Sequence, residues 1–295
     1  MHAETTRRYH ERMRRVLDHI DRHPDADLSL DRLSALAAFS PHHFHRQFTA
    51  CLGLPLHRYV QLSRLERASH RLAYRAGETV TTVALDAGYG APDAFARAFR
   101  ARLGQAPAAF RAAPDWASWH GALAPLTLAR RNVMTVPTPA DVVVVDRPAV
   151  PVVVLEHRGD PARLGETIRR FIAFRKANHL PPARHDTYNL FHTDPEAVAP
   201  ADHRLGLAVA TDHLPTDEER AAGFYHDVVP AGRAAMLRVV GGDAALAAAA
   251  LVLYRDWLPP SGEAPADAPL FGRRLSFFPD VPESEAVMEL YLPLR

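Results

Sequence analysis

A pattern that occurs twice, 51 residues apart, constrains the first third of the chain more than any other feature. The first copy runs from Leu33 through Ala37, Ser40, Phe44, Arg46, Phe48 and Leu52 to Gly53. The second runs from Ala84 through Gly88, Ala91, Phe95, Arg97, Phe99 and Leu103 to Gly104. A repeat this strict means one supersecondary unit used twice. In each copy a short helix with small residues at its end leads into a second helix that opens on a proline, Pro41 or Pro92, a favoured first helical residue. Phenylalanines at i and i+4 give that second helix a buried side, and an arginine lies on its other side. Two helices joined by a tight turn, the second presenting Arg, is the outline of a helix-turn-helix reader of the DNA major groove.

The charge distribution agrees. Residues 1–112 hold 17 Arg, no Lys and 11 carboxylates, a net +6, whereas the remainder holds 18 basic and 23 acidic residues, a net −5. A polyanion partner therefore suits the first part alone. Cys51 is the only cysteine, which leaves no disulfide framework and no Cys-based zinc site. Met1 to Arg15 is charged and lacks the apolar run of a signal peptide. The longest apolar stretch, Ala244 to Leu253, falls far short of the roughly 20 residues a membrane helix needs. The expectation is a cytoplasmic, nucleoid-associated protein with no membrane partner.

Within residues 1–112, Thr6 to Arg22 reads as an amphipathic helix on Tyr9, Met13, Val16, Leu17 and Ile20. Leu30-Asp31 opens the next helix, with Asp31 able to cap it. Ser40 caps a helix from Pro41 to Leu52, and Gly53 stops it. Leu56 to Tyr74 is one long helix, about 28 Å at 1.5 Å per residue, close to the roughly 34 Å between adjacent major grooves on one DNA face. His42 and His45 share a helical face, but no third ligand at supporting spacing makes a metal site of them.

The run Ala87-Gly88-Tyr89 followed by Phe95, Arg97, Phe99, Leu103-Gly104, Pro107 and Phe110-Arg111 resembles the signature of AraC/XylS transcriptional regulators. The first copy, with Arg46, Phe48 and Gly53, is similar to that family's upstream helix-turn-helix, and the resemblance covers residues 8 to 111. It implies an all-α double helix-turn-helix domain that inserts two helices into successive major grooves of promoter DNA. Carried over by position, the DNA-binding residues are His42, His45 and Arg46, then Pro92, Asp93, Ala96, Arg97 and Arg100. Pro92 and Ala96 can make only apolar or backbone contacts, so the second helix is expected to hold phosphates as much as to read bases.

Residues 113–140 are rich in Pro and Ala and read as a linker, with a strand expected near Leu126 to Arg130. From Asp141 the texture changes to short β-branched runs at Val142–Val145 and Val150–Leu155, a helix over Leu164 to Ala177, and strands near Tyr188–His192 and Leu205–Thr211. Strand, Gly159-Asp160, helix and Leu180-Pro181-Pro182 then recur as strand, Gly242-Asp243, Ala-rich helix and Leu258-Pro259-Pro260. The last strands are expected near Arg274–Phe278 and Ala286–Leu292. Two strand-helix-strand-strand modules predict an α+β domain over residues 141–295, with helices on one side of an antiparallel sheet.

Several pieces of this region resemble the GyrI-like small-molecule-binding domain. They include Phe191-His192-Thr193-Asp194-Pro195-Glu196, Val229-Pro230-Ala231-Gly232-Arg233-Ala234, Tyr254-Arg255-Asp256-Trp257-Leu258-Pro259 and Glu289-Leu290-Tyr291-Leu292-Pro293-Leu294. The resemblance implies two pseudo-symmetric modules around a cleft for a drug-like or cationic effector. The ligand-binding candidates are Glu156, Tyr188, Trp257, Phe277, Glu289 and Tyr291. Alternation along Ala286–Leu292 sends Met288, Leu290 and Leu292 beneath the helices and leaves Glu289 and Tyr291 on the open face. The chain departs from many relatives after Pro269-Leu270-Phe271, where Gly272-Arg273-Arg274 stands in place of an expected Glu.

These features together predict a sequence-specific transcriptional regulator that senses a small molecule, and they leave RNA polymerase open as a further partner. The alternative is a hydrolase or scavenging domain tethered to DNA, which would need a cleft carboxylate in reach of a water. With no nucleotide loop, triad spacing or zinc motif, the expectation is no cofactor and no catalysis.

Overall fold

The computed structural model describes residues 2–133, 137–277 and 280–295, with side chains from residue 10 onward, so Tyr9 and Phe278 lie outside that description. The chain divides into two units, residues 1–135 with 278–285, and residues 136–277 with 286–295.

The first unit is all-helical. α1 (His2–Arg22), α2 (Leu30–Leu36), α3 (Pro41–Leu52) and α4 (Leu56–Tyr74) are followed by α5 (Val80–Asp86), α6 (Pro92–Leu103), α7 (Pro107–Ala112) and α8 (Trp116–Arg131). Local chemistry sets the ends. The Ser40 hydroxyl accepts from the His43 amide at the start of α3, and the Thr79 hydroxyl accepts from the Thr82 amide at the start of α5. Gly53 and Gly104 close α3 and α6 in the left-handed region, at φ 68° and 76°, which costs a glycine nothing. At α2 the cap position belongs to Ser29 rather than Asp31, whose carboxylate lies in the first turn instead.

The repeat is not uniform at atomic level. α3 and α6 start 51 residues apart, at Pro41 and Pro92, but α2 and α5 start 50 apart, at Leu30 and Val80. Leu33 is therefore matched in the fold by Val83, both fully buried. The left-handed turn residue is Ala38 in one copy (φ 54°) and Gly88 in the other (φ 76°). The second turn carries the extra residue.

Residues 116–131 are helix, correcting the strand expected at Leu126–Arg130. Asp115 caps α8 by accepting from the Ser118 amide at 3.1 Å. Trp116, Trp119, Leu123, Leu126 and Ala129 then form a buried stripe that packs on α3, α4 and α6. Trp119 donates to the Ser69 hydroxyl of α4 at 2.8 Å. At the far end of α8, Arg130 meets Glu66 at 2.7 Å and Asp21 at 3.3 Å. Burial pushes the Glu66 carboxyl up to about 8, against the pull of the Arg130 guanidinium.

The second unit is built on one eight-stranded antiparallel sheet. Its strands are β1 (Val143–Arg147), β2 (Val150–Arg158), β3 (Thr187–Phe191), β4 (Arg204–Ala210), β5 (Phe224–Val229), β6 (Gly232–Val240), β7 (Leu270–Arg274) and β8 (Val287–Pro293). The spatial order is β1-β6-β8-β7-β3-β4-β2-β5. Between the strands run α9 (Leu164–Ala177), the short α10 (Asp217–Ala221) and α11 (Asp243–Leu251), the last continued by a π-helical turn over Val252–Trp257. β7 ends where the sequence-based strand begins, at Arg274, because the buried pair Leu270 and Phe271 lies upstream.

The modules β2-α9-β3-β4 and β6-α11-β7-β8 meet where β3 pairs β7, with Asn189 opposite Gly272. β3 and β7 start 83 residues apart (187 and 270), as do β4 and β8 (204 and 287), which makes the two halves pseudo-symmetric. Each module's first strand pairs the strand that precedes the other module: β6 with β1, and β2 with β5. One sheet face carries Val153, Leu155, Leu207 and Val209 against Phe171 and Phe174 of α9. The opposite face gathers Val152, Val154, Tyr188, Ala208, Phe271 and Tyr291 in a second cluster that includes no helix residue.

Candidate functional site

Two surfaces collect the sequence-derived site residues, one in each unit. On α3, Phe44, Phe48 and Leu52 are buried, and His42, His45 and Arg46 stand exposed on the other side. On α6, Phe95, Phe99 and Leu103 are buried, Pro92, Asp93, Arg97 and Arg100 are exposed, and Ala96 is half-buried. The aromatic side of each helix is held by ring packing, with Phe44–Phe48 at 5.6 Å and Phe95–Phe99 at 5.3 Å between ring centres. That fixes the rotation of each helix and therefore which residues face out.

The arginines of the first unit sort into two groups. Arg71 binds Glu78 at 2.6 Å and Asp86 at 2.8 Å, Arg64 donates to the Pro24 carbonyl at 2.7 Å, and Arg102 donates to Gln61 at 3.0 Å. Arg130 is consumed by Asp21 and Glu66. Arg46, Arg97 and Arg100 have no hydrogen-bond or ion-pair partner among the described residues. These three guanidiniums are ones the doubled motif places outward on its second helices. No group of three or more His, Cys, Asp or Glu among the described residues could hold a metal ion.

In the second unit the sheet register assembles an aromatic strip. Phe271 of β7 lies directly opposite Tyr291 of β8, and their rings stack at 5.1 Å and 15°. Tyr188 of β3 stands 6.5 Å from Phe271. The Tyr291 hydroxyl donates to Glu289 at 2.7 Å, and burial together with that carboxylate pushes the phenol up to about 12. Glu289 also lies 3.7 Å from Arg273, whose guanidinium binds Asp186 at 2.9 Å.

Arg147, from edge strand β1, lies across this strip. Its guanidinium carbon is 4.1 Å from the ring centre of Tyr291, 4.7 Å from Phe271 and 5.8 Å from Tyr188. It reaches them because its neighbours on β6 are small: Gly232 lies opposite it and Ala234 is the next residue on that side. A crevice of about 60 Å³ beside it is lined by Gly232, Ala234, Phe271 and Pro293.

The ligand-binding candidates therefore divide. Tyr188, Glu289 and Tyr291 come together on the open sheet face. Glu156 lies on the same face of β2, where burial raises its carboxyl, but hydrogen bonds from Arg204 and Arg158 outweigh that and hold it low. Trp257 belongs to the π-helical turn and Phe277 to the loop after β7, and neither shares a ring contact with the strip. Sequence reasoning misses Arg147, Phe271 and Arg273. The available signal for Arg147 is the alternation Val143, Val145, Arg147, which puts a cation on an otherwise apolar face.

The two units define a class: a DNA-binding regulator domain joined to a domain for small ligands. A family model described as a helix-turn-helix domain matches residues 33–113, and one described as a GyrI-like small molecule binding domain matches residues 140–295. The chain belongs to the GyrI-like family, and it is an effector-regulated transcription factor with a helix-turn-helix DNA-binding domain. It is similar to the probable transcriptional regulator YgiV of Escherichia coli (strain K12), 30% identical over 155 residues, which cover 52% of this chain and 96% of that protein. An uncharacterized HTH-type transcriptional regulator of Staphylococcus aureus (strain COL) is 35% identical over 101 residues, 34% of this chain. The chain spans 13% of that protein's length. The crystal structure of the EcmrR C-terminal domain aligns over 52% of this chain and 96% of its own, at 14% identity and a TM-score of 0.42. No helix among the described residues is long and apolar enough to cross a membrane.

Proposed function

We propose that α3 and α6 are the two reading helices, and that binding of an effector on the open face of the second unit's sheet changes affinity for a promoter. The observation that carries the DNA half is the state of the reading-helix arginines: Arg46, Arg97 and Arg100 are exposed and unpaired, whereas Arg64, Arg71 and Arg102 are tied into the fold. Free guanidiniums on a helix flank serve phosphate and guanine recognition. α3, with His42, His45 and Arg46, carries most base reading. α6, with Asp93, Arg97 and Arg100 around the apolar Pro92 and Ala96, contributes phosphate contacts and fewer base contacts.

The effector half rests on Tyr188, Phe271 and Tyr291 forming an apolar, aromatic surface bordered by charged groups, the composition of a small-molecule site. The domain acts as a binder rather than a catalyst. The two carboxylates among the ligand-binding candidates are engaged, Glu156 by two arginines and Glu289 by the Tyr291 hydroxyl, so neither is free to activate a water. RNA polymerase is a further proposed partner, reached through promoter occupancy.

The test is DNA selection with the full chain, followed by titration of the selected site. Arg46→Ala should weaken binding by about 1–3 kcal/mol and relax preference at one base pair. Affinity should fall steeply between low and moderate salt. An Arg46→Ala protein with unchanged sequence preference, or salt-independent binding by the native chain, would refute the assignment of α3.

A further inference from the structure

The aromatic strip on the open sheet face already holds a cation, and it belongs to the chain. Arg147 places its guanidinium over Tyr291, Phe271 and Tyr188, within the range where ring faces attract positive charge. The electron-rich faces that would receive a cationic effector are thereby occupied. A second cation must evict Arg147 or settle beside a like charge in a partly dry setting, where repulsion is stronger than in water.

Three carboxylates of this unit have partners other than Arg147. Asp186 binds Arg273, Glu289 takes the Tyr291 hydroxyl and approaches Arg273, and Glu263 binds Arg233 at 2.6 Å. Arg147 has no carboxylate partner among the described residues. Its Nη2 makes one long hydrogen bond, 3.5 Å, to the Tyr188 hydroxyl, and its Nη1 is buried with no acceptor. A carboxylate oxygen would satisfy that N–H, and a buried donor without a partner is costly. The crevice beside it, about 60 Å³, has room for a carboxylate head. The apolar surface of Val152, Val154 and Ala208 extends the same face away from Arg147.

From this geometry we propose that the effector is an anion: a small molecule with a carboxylate that pairs with Arg147 and an apolar, aromatic body that lies along the sheet face. The proposal rests on the effector reading above and specifies its chemistry. The planar guanidinium fork suits a carboxylate in two-point contact.

The experiment uses the full-length protein and matched pairs of aryl carboxylates and aryl ammonium compounds: benzoate and benzylammonium, 2-naphthoate and 2-naphthylmethylammonium, indole-3-acetate and tryptamine. Binding is read by calorimetry and by thermal shift. The carboxylates should bind the native protein at least tenfold more tightly than their partners. Arg147→Gln should lose at least tenfold in carboxylate affinity and gain affinity for the ammonium set, because the strip is vacated. If Arg147→Gln does not fold, the native protein's preference and a weakened carboxylate response in Arg147→Lys decide instead. Tighter binding of the ammonium set to the native protein, or carboxylate affinity unchanged by Arg147→Gln, overturns the inference and leaves the effector reading standing. No binding by either set overturns both.

Discussion

Gly88 is where the turn of the second helix-turn-helix unit presses on the α1–α2 loop and on α4, and replacing it by alanine tests that arrangement quantitatively. Its φ of 76° is left-handed, and a Cβ there would stand 2.3 Å from the Pro24 carbonyl oxygen and 2.7 Å from the Arg64 guanidinium. Arg64 of α4 is itself hydrogen-bonded to that carbonyl at 2.7 Å, so no one of the three groups can move alone. The left-handed conformation costs a non-glycine residue roughly 1–2 kcal/mol. Breaking a hydrogen bond from a charged donor costs roughly 1.5–3 kcal/mol more, and the stiffer unfolded chain returns about 0.4–1 kcal/mol. Gly88→Ala should therefore destabilise the first unit by about 2–4 kcal/mol. Gly104 and Gly53 supply the control. They share the left-handed φ, 76° and 68°, with nothing within 4 Å of the added carbon, so alanine there should cost only about 1 kcal/mol. Urea unfolding followed by tryptophan fluorescence reads this unit, because Trp116 and Trp119 are both buried in it. If Gly88→Ala costs no more than Gly104→Ala, the steric argument is wrong and the turn is looser than described.

Two further outcomes concern buried charge. Arg130→Ala strips the counter-charge from Asp21 and Glu66 and should destabilise the unit by about 3–5 kcal/mol. The Glu66 carboxyl, already raised by burial, then loses the guanidinium that pulls it down, so the variant should recover stability as pH is lowered from neutral; urea midpoints at pH 7 and 5 check the sign. His70, packed 5.0 Å from Trp119, is pushed down to about 3 by burial, then by His120 and Arg130. Its neutral ring contributes stability above about pH 6.5 that is lost as pH falls toward 3, at up to about 1.4 kcal/mol per pH unit; an unchanged acid slope in His70→Phe would refute this.

What the sequence makes legible follows from the range of the interactions involved. α9 is readable to the residue, Leu164–Ala177, because its apolar stripe is local. The reading helices are legible because proline, phenylalanine and glycine each act within one turn. α8 is hidden by composition: Pro125 and the alanines suggest a linker, yet Trp116, Trp119, Leu123 and Leu126 already have helical spacing. β5, an edge strand with exposed His226 and Asp227 at its middle, carries too weak an alternation to stand out. Alternation puts Arg147 on the apolar face, but its contact with the aromatic strip is not legible locally. It depends on β1 pairing with β6, whose Gly232 is 85 positions further along the chain, and no local pattern encodes that register.

Both units are duplications, and differences between copies separate scaffold from site without any second sequence. In the second unit Tyr188 is matched by Phe271, but Gly206 and Ala208 are matched by Glu289 and Tyr291 at the 83-residue spacing, so only one half supplies the polar end of the strip. In the first unit Phe44, Phe48, Leu52 and Gly53 recur as Phe95, Phe99, Leu103 and Gly104, all scaffold. The outward positions diverge: His42 is matched by Asp93 and His45 by Ala96, whereas Arg46 recurs as Arg97. If outward divergence is what distinguishes the two readers, the difference is transferable. Asp93→His with Ala96→His gives α6 the outward set of α3 while leaving Phe95, Phe99 and Leu103 untouched. Stability should change by less than about 1 kcal/mol, since Asp93 is exposed and Ala96 only half-buried. DNA selection on the double variant should show an altered preference at one of the two half-sites and none at the other. A preference altered at both half-sites, or at neither, would mean that α6 does not contact bases independently of α3.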